Sequence, residues 1–372
     1  MKSLIVRTSM RVGSIFVLSA AMYVSLADAR GAADGRVYVM TNHAAGNSVL
    51  VYCRDAKGAL QQMQEVATQG MGNGLADDGL GSQGSLTLSG DGNLLFAVNA
   101  ASGDVTAFVV TSAGLQFGSK ASSGGALPVS VTSYQNWVYV VNQLGIPNIS
   151  GFTVDAGGNL TPIAGSSRAL PGGALAQPAQ VSFTPDGSEL IVTEKGTNQI
   201  DIFPVQADGT TGTPMTQASS GKTPFGFSFG PDNTLIVAEA EQRYPMQATT
   251  SSYRIQGGGL TAVSGAVPDG QSGACWTVVT GQSAWVVNTG TAAISDYTIN
   301  ADSSLVLTKE VAASTGDGTS PTDVAKTSDS NFIYVIKSGT GQVAGYAVSG
   351  ETLTLVFQLS NLPLSMQGIA AE

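Results

Sequence analysis

Charge is scarce in this chain and histidine scarcer still: 11% of the 372 residues are Asp, Glu, Lys or Arg, and His43 is the one histidine. The 16 Lys and Arg residues form no cluster. That excludes the phosphate neutralisation on which binding to nucleic acid or to an anionic membrane surface relies. A Gly-x-Ser-x-Gly elbow, a His-Glu-x-x-His pair and any Cys or His cluster are also missing. Serine-hydrolase, zinc-hydrolase and haem chemistry therefore have no anchor, and neither a cofactor nor a metal is expected.

The long uncharged run stands at the start. Lys2, Arg7 and Arg11 precede a stretch without charge from Val12 to Ala27 and the small-residue triplet Ala27-Asp28-Ala29. This is the pattern of a secretory signal peptide cut after Ala29. Its 16 uncharged residues fall short of the roughly 20 needed to span a bilayer. The expected mature protein is residues 30–372, one domain, secreted or periplasmic, monomeric and without a membrane anchor. Residues 1–29 carry three positive charges and one negative, so the remainder carries −12 against −10 for the whole.

What the chain has in abundance is glycine, 47 residues of it, and a repeat. An aromatic closes a short apolar strand at Tyr52, Phe108, Phe152, Phe203, Tyr253, Tyr297 and Tyr346, at intervals of 56, 44, 51, 50, 44 and 49. About ten residues earlier another strand ends in one polar residue: Asn42, Asn99, Asn142, Glu194, Glu239, Asn288 and Lys337. Before that lies a short period-two strand, as in Val129-Ser130-Val131, Val181-Ser182-Phe183 or Val324-Ala325, followed by a turn such as Gly90-Asp91-Gly92 or Pro185-Asp186-Gly187. A Leu opens the fourth strand in most units, while the fourth unit has Gly212 to Pro214 there, so its outer strand is expected to be irregular.

Seven units of about 49 residues are the length of a propeller blade. The first aligned strand, Arg36 to Thr41, is a second strand, and the missing first strand is supplied at the far end by Gly368-Ile369-Ala370. The expectation is an all-β, seven-bladed β-propeller of four-stranded antiparallel blades, closed by pairing the N- and C-terminal strands in one blade. An open stack of sheets would leave exposed edges. Cys53 and Cys275 fall in blades that are not neighbours, which predicts two buried thiols and no disulfide.

In such a ring the polar ends of the second strands circle one mouth of the axial channel. Asn at these positions has a structural explanation, since it satisfies backbone groups at strand ends. Glu194 and Glu239 fall in adjacent blades, where two close carboxylates would make an acid and base pair. An ion-pair patch with Lys195, Glu241 and Arg243 is the alternative. His43, on the same rim, is the chain's one histidine, the residue type best suited to acid and base work near neutral pH. The glycine-rich stretch 69–84 accounts for the 57-residue gap from Asn42 to Asn99 and is expected to cover the mouth as a mobile lid. Its Asp77 and Asp78 lack the spacing of a calcium loop.

The stretch Ala179-Gln180-Val181-Ser182-Phe183-Thr184-Pro185-Asp186-Gly187, followed by Val192-Thr193-Glu194-Lys195, resembles the seven-bladed propeller lactonase family. So do Gly81-Ser82-Gln83-Gly84, Phe96-Ala97-Val98-Asn99, Pro224-Phe225-Gly226-Phe227 and Ala274-Cys275-Trp276. That family is similar to propeller-type 6-phosphogluconolactonases and 3-carboxymuconate lactonising enzymes, which implies a lactone ring opened or closed. Family enzymes act on anions with His and Arg around the channel; here there is one His and a carboxylate-rich rim. The resemblance implies a lactone attacked by water. Glu194 or Glu239 would act as base, the other carboxylate or His43 as acid, and Asn42, Gln83, Asn99, Asn142, Gln180, Asn288 and Lys337 would bind substrate. The competing expectation is a non-enzymatic exported propeller that binds a protein, glycan or small ligand through its rim.

Overall fold

The computed structural model describes residues 35–372; the expected signal peptide lies outside the described residues. Alternating or wholly apolar runs between Gly- and Asp-rich turns form seven antiparallel sheets. Blade one holds β1 (Gly35–Met40), β2 (Ser48–Arg54) and β3 (Leu60–Ala67). Blade two holds β4 (Leu86–Leu88), β5 (Leu94–Asn99), β6 (Asp104–Thr111) and β7 (Gly114–Ser122). Blade three holds β8 (Ala126–Tyr134), β9 (Trp137–Leu144), β10 (Asn148–Val154), β11 (Leu160–Pro162) and β12 (Arg168–Ala169). Blade four holds β13 (Pro178–Phe183), β14 (Glu189–Glu194), β15 (Gln199–Pro204) and β16 (Met215–Ala218). Blade five holds β17 (Pro224–Phe229), β18 (Leu235–Glu239), β19 (Thr249–Gln256) and β20 (Gly259–Pro268). Blade six holds β21 (Ala274–Thr280), β22 (Ser283–Asn288), β23 (Ala293–Ile299) and β24 (Leu305–Ser314). Blade seven holds β25 (Pro321–Lys326), β26 (Phe332–Lys337), β27 (Gln342–Ser349) and β28 (Thr352–Leu359), and β29 (Ile369–Ala371) completes blade one.

The innermost strands touch in the order β29, β4, β8, β13, β17, β21, β25 and back to β29, which closes a ring of seven blades. Closure is made as the repeat predicts: β29 pairs with β1, with Tyr38 opposite Ala370. A closed ring leaves no inner strand as an unpaired template for another chain. All seven register aromatics are buried in third strands, where they pack between blades. Second strands such as β5 and β18 are buried along their whole length, as continuous apolar runs should be.

Two details differ from the sequence reading. The outer strand of blade four is short, as expected, but blade three is also interrupted: β11 stops at Pro162, and the two-residue β12 pairs with β10 beyond it. A proline has no N–H to continue the ladder. Neither cysteine forms a disulfide, and Cys275 is buried, yet Cys53 is only half-buried, its Sγ 3.5 Å from Met63 Sδ.

Candidate functional site

Antiparallel order puts the loops from second to third strand and the crossovers from fourth to next first strand on one face of the ring, the loop face. The hairpin turns lie on the other. The seven polar rim residues do gather at the loop face, but all are at most 5% exposed, and their partners explain why.

Five of them hold the crossover arriving from the preceding blade. Asn99 accepts from Thr68 Oγ1 at 2.6 Å and Asn47 Nδ2 at 3.0 Å, and donates to Asp104 and Thr106. Asn142 donates to the Ser123 carbonyl at 3.0 Å. Glu194 accepts from Gly172 N at 3.0 Å and from Thr197 Oγ1. Glu239 accepts from Ser219 Oγ, Gly221 N, Thr249 Oγ1 and Ser251 Oγ at 2.7 to 2.9 Å. Asn288 reaches the crossover through Ser295, which donates to Asp269. The remaining two differ: Asn42, in the left-handed region at φ 49°, exchanges hydrogen bonds with Asn73 of the outgoing crossover, and Lys337 donates to Gln358 at 3.1 Å. The crossovers carry glycine where these side chains press on them. A Cβ on Gly172 would collide with the Glu194 carboxylate, and one on Gly221 with that of Glu239.

Glu194 and Glu239 therefore serve separate blade junctions and share no hydrogen-bond partner among the described residues. The neighbour that Glu194 does have is Asp201: burial, and then Glu194 itself, push the Asp201 carboxyl well above the usual range. Burial also raises Glu239 against the lowering effect of its four donors, and it lowers Lys337. His43 is exposed, its Nδ1 accepting from Ala45 N at 3.3 Å. None of these groups lines the three described cavities. The expected acid and base pair at the rim is not assembled, because each carboxylate is spent on joining blades.

The glycine-rich stretch does cross the mouth, but as a clamped plug. Leu80 N donates to Gln367 Oε1 at 2.7 Å, and Gln367 Nε2 donates to Asp78 Oδ1 and the Ser82 carbonyl. Trp276 Nε1 also donates to the Ser82 carbonyl, at 2.8 Å. Lys195 donates to the Gly81 carbonyl and lies 4.7 Å from the centre of the Phe225 ring. Gln83 reaches across the axis from blade two to blade six, donating to the Thr277 carbonyl at 2.8 Å and accepting from Thr277 N at 3.0 Å. Gln180 makes the same two-pronged bond to Phe227 of the next blade, at 3.1 and 2.7 Å. Both glutamines, expected as substrate binders, hold backbone with their amides.

Beneath the plug an axial cavity of about 250 Å³ runs toward the hairpin-turn face, from Gln83, Gln180 and Asp323 down to Leu88, Lys326 and Ala371. Thr87, Thr132 and Ser182 give it a polar wall. Asp323 and Lys326 were not singled out from the sequence. The signal was there: two residues after Pro128 in β8 and after Pro178, Pro224 and Pro321, which open β13, β17 and β25, stand Ser130, Gln180, Gly226 and Asp323, and of these four only Asp323 carries a charge. Asp323 is 2% exposed with φ 85°, and its Oδ1 accepts from Val324 N at 2.9 Å. Burial drives its pKa up to about 7, against the pull of the Val324, Gly368 and Ile369 amides and with a further push from Asp78. Among the described residues no group of three or more His, Cys, Asp or Glu side chains could hold a metal ion.

Comparison with solved structures returns the same ring. The periplasmic gluconolactonase of Pseudomonas aeruginosa matches with a TM-score of 0.70 at 17% identity, covering 91% of this chain and 98% of that one. A Lactobacillus plantarum protein matches at 0.72 and 17% identity over 91% and 99%. A Bacteroides fragilis protein provisionally named a 6-phosphogluconolactonase matches at 0.69 and 16% identity over 92% and 99%. At these identities the likeness shows the fold. Comparison with curated proteins returns no match. The family model described as lactonase, 7-bladed beta-propeller matches residues 33–248, more than half of the sequence, and the chain belongs to that family.

Proposed function

We propose that this propeller opens small neutral lactones, and that it does so in the axial channel rather than on the loop-face rim. The observation that carries the location is the 250 Å³ cavity on the axis, walled by hydroxyls and amides and reaching the turn face, while the rim side chains are consumed by the blade junctions. Small-ligand sites are concave and combine apolar walls with a few convergent polar groups, a description the channel fits and the rim does not. The leader-like N-terminus, the −12 charge of the remainder and the periplasmic name of the P. aeruginosa relative support an exported protein acting on uncharged substrates.

The test is proton release by the purified protein on δ-valerolactone, γ-butyrolactone and glucono-δ-lactone, with an anionic lactone for contrast. Ser182→Phe, which fills the channel, is expected to abolish turnover of the neutral lactones. Unchanged rates in that variant would refute the channel as the site. The second reading, a binding propeller without catalysis, draws on Leu144, Ile146, Leu175, Tyr244, Met246 and Leu364, all exposed on loop-face connections. A protein inert to every lactone would favour it.

A further inference from the structure

Blade four departs from its neighbours at one buried position. Two residues beyond the cross-strand partner of each rim residue, on the same face of the sheet, stand Thr106, Ser150, Asp201, Ser251 and Ser295 in blades two to six. In three of these blades the hydroxyl serves the rim. Ser251 Oγ donates to Glu239 Oε1 at 2.7 Å, while Thr106 and Ser295 accept from Asn99 and Asn288 at 3.0 and 2.9 Å. Blade four repeats the rim carboxylate of blade five, as Glu194, but meets it with the carboxyl of Asp201, within hydrogen-bonding reach. Both side chains are fully buried. Asp201 Oδ1 accepts from Thr216 Oγ1 at 2.7 Å, and Oδ2 finds no donor among the described residues. Two ionised carboxyls offer each other only acceptors, whereas one that keeps its proton has an O–H to donate.

We propose that Asp201 is a carboxylic acid whose O–H donates to Glu194 in the place of the Ser251 hydroxyl, and that this one proton latches the crossover 170–177 onto blade four. The latch is independent of the chemistry in the channel. Glu194 Oε1 accepts from Gly172 N of that crossover at 3.0 Å, so the crossover is tied to the same carboxylate that the proton steadies. Loss of the proton sets two negative charges side by side in a buried junction. Burial first, and then Glu194, raises the Asp201 carboxyl, while the Thr216 hydroxyl lowers it. The stabilisation is therefore fully present below the ordinary carboxylate range and is lost as the pH rises through the raised value. Asp201 lies on the face of β15 that packs on blade three, as Val192 opposite it and Phe203 beyond it show by clustering with Tyr139 and Val141. The titratable side chains on the surrounding elements are Glu189 and Glu194 on β14, Lys195 just after it, Asp208 in the turn after β15, Tyr134 on β8, Tyr139 on β9 and Arg168 on β12; β10, β11, β13, β16 and β17 bring none.

The experiment follows hydrogen exchange of the full chain from about pH 5 to 10 in the wild type, Asp201→Asn and Asp201→Ser, with an infrared spectrum of each at pH 6. Asn keeps an oxygen for Thr216 and turns an NH₂ to Glu194, while Ser copies blade five, and either variant that folds serves. At pH 6 the wild type is expected to show one protonated-carboxyl C=O band that the variants lack. As that band titrates away, exchange at 170–177 is expected to quicken relative to the variants, by up to about tenfold per pH unit, while the crossover 122–126 between blades two and three keeps a constant ratio. Coincident infrared spectra at pH 6 would show Asp201 ionised and overturn the shared proton. A wild-type to variant ratio at 170–177 that stays within about threefold across the range would overturn the latch.

Discussion

Replacing Asp323 by Asn should make the protein more stable at neutral and alkaline pH, by an amount the channel geometry sets. In the unfolded chain the carboxyl ionises near 3.8, and in the folded one near 7. Between those values folding takes up a proton, so this group's contribution is fully present below about 3.8 and is lost as the pH rises through about 7. Each pH unit in that window removes about 1.4 kcal/mol, or about 4 kcal/mol once both states are ionised. Asn keeps an oxygen for the Val324 amide. It removes the buried charge. At roughly 2 °C per kcal/mol for a chain of this size, Asp323→Asn should melt about 8 °C above the wild type at pH 8 and at nearly the same temperature at pH 4. Asp201, Glu239, Asp269 and Asp296 are also raised by burial and bend the wild-type curve the same way, so the difference between the two proteins is the quantity to follow. Equal melting temperatures at both pH values would show that Asp323 is hydrated or paired and that the channel floor has been misread.

Three further outcomes follow from the blade junctions and the plug. Gly221→Ala, which drives a methyl group into the Glu239 carboxylate, should cost about 1 to 3 kcal/mol in denaturant unfolding; an unchanged midpoint would mean that the crossover yields freely. Glu239→Gln turns an acceptor of four hydrogen bonds into a group with an NH₂ facing donors, and should cost about 1 to 3 kcal/mol while leaving the kcat for a neutral lactone within about twofold. A stable variant with no activity would return catalysis to the rim. Gln83→Ala removes two hydrogen bonds across the axis and should lower stability by about 2 kcal/mol and speed amide exchange around Ser82, as read by hydrogen exchange.

The fold was legible because its signals are redundant. Seven buried aromatics, seven apolar second strands and the displaced first strand at Ile369 all point to one closed ring, and an error at one blade, such as the interrupted outer strand of blade three, leaves the others in register. The site was less legible because a polar residue at the end of a buried strand carries the same signal whether it binds a ligand or a crossover. Glu194 and Glu239 were located correctly on the rim, yet only their partners, Gly172 for one and Gly221 with Ser219, Thr249 and Ser251 for the other, separate the two cases. Those partners lie 10 to 22 residues away in sequence with no spacing rule to connect them. Asp323 escaped notice for a local reason. The bulge breaks the period-two alternation at the start of β25, so the strand can be recognised only from Val324 onward.

The central claim is that the chemistry of this propeller lies on its axis. The most direct measurement is the crystal structure of the protein soaked with the lactam analogue of a neutral lactone that it opens. The account predicts the intact ring in the channel, its edge against Thr87 or Ser182. A ring seated instead on the loop face, over Glu194, Glu239 or His43, would contradict it.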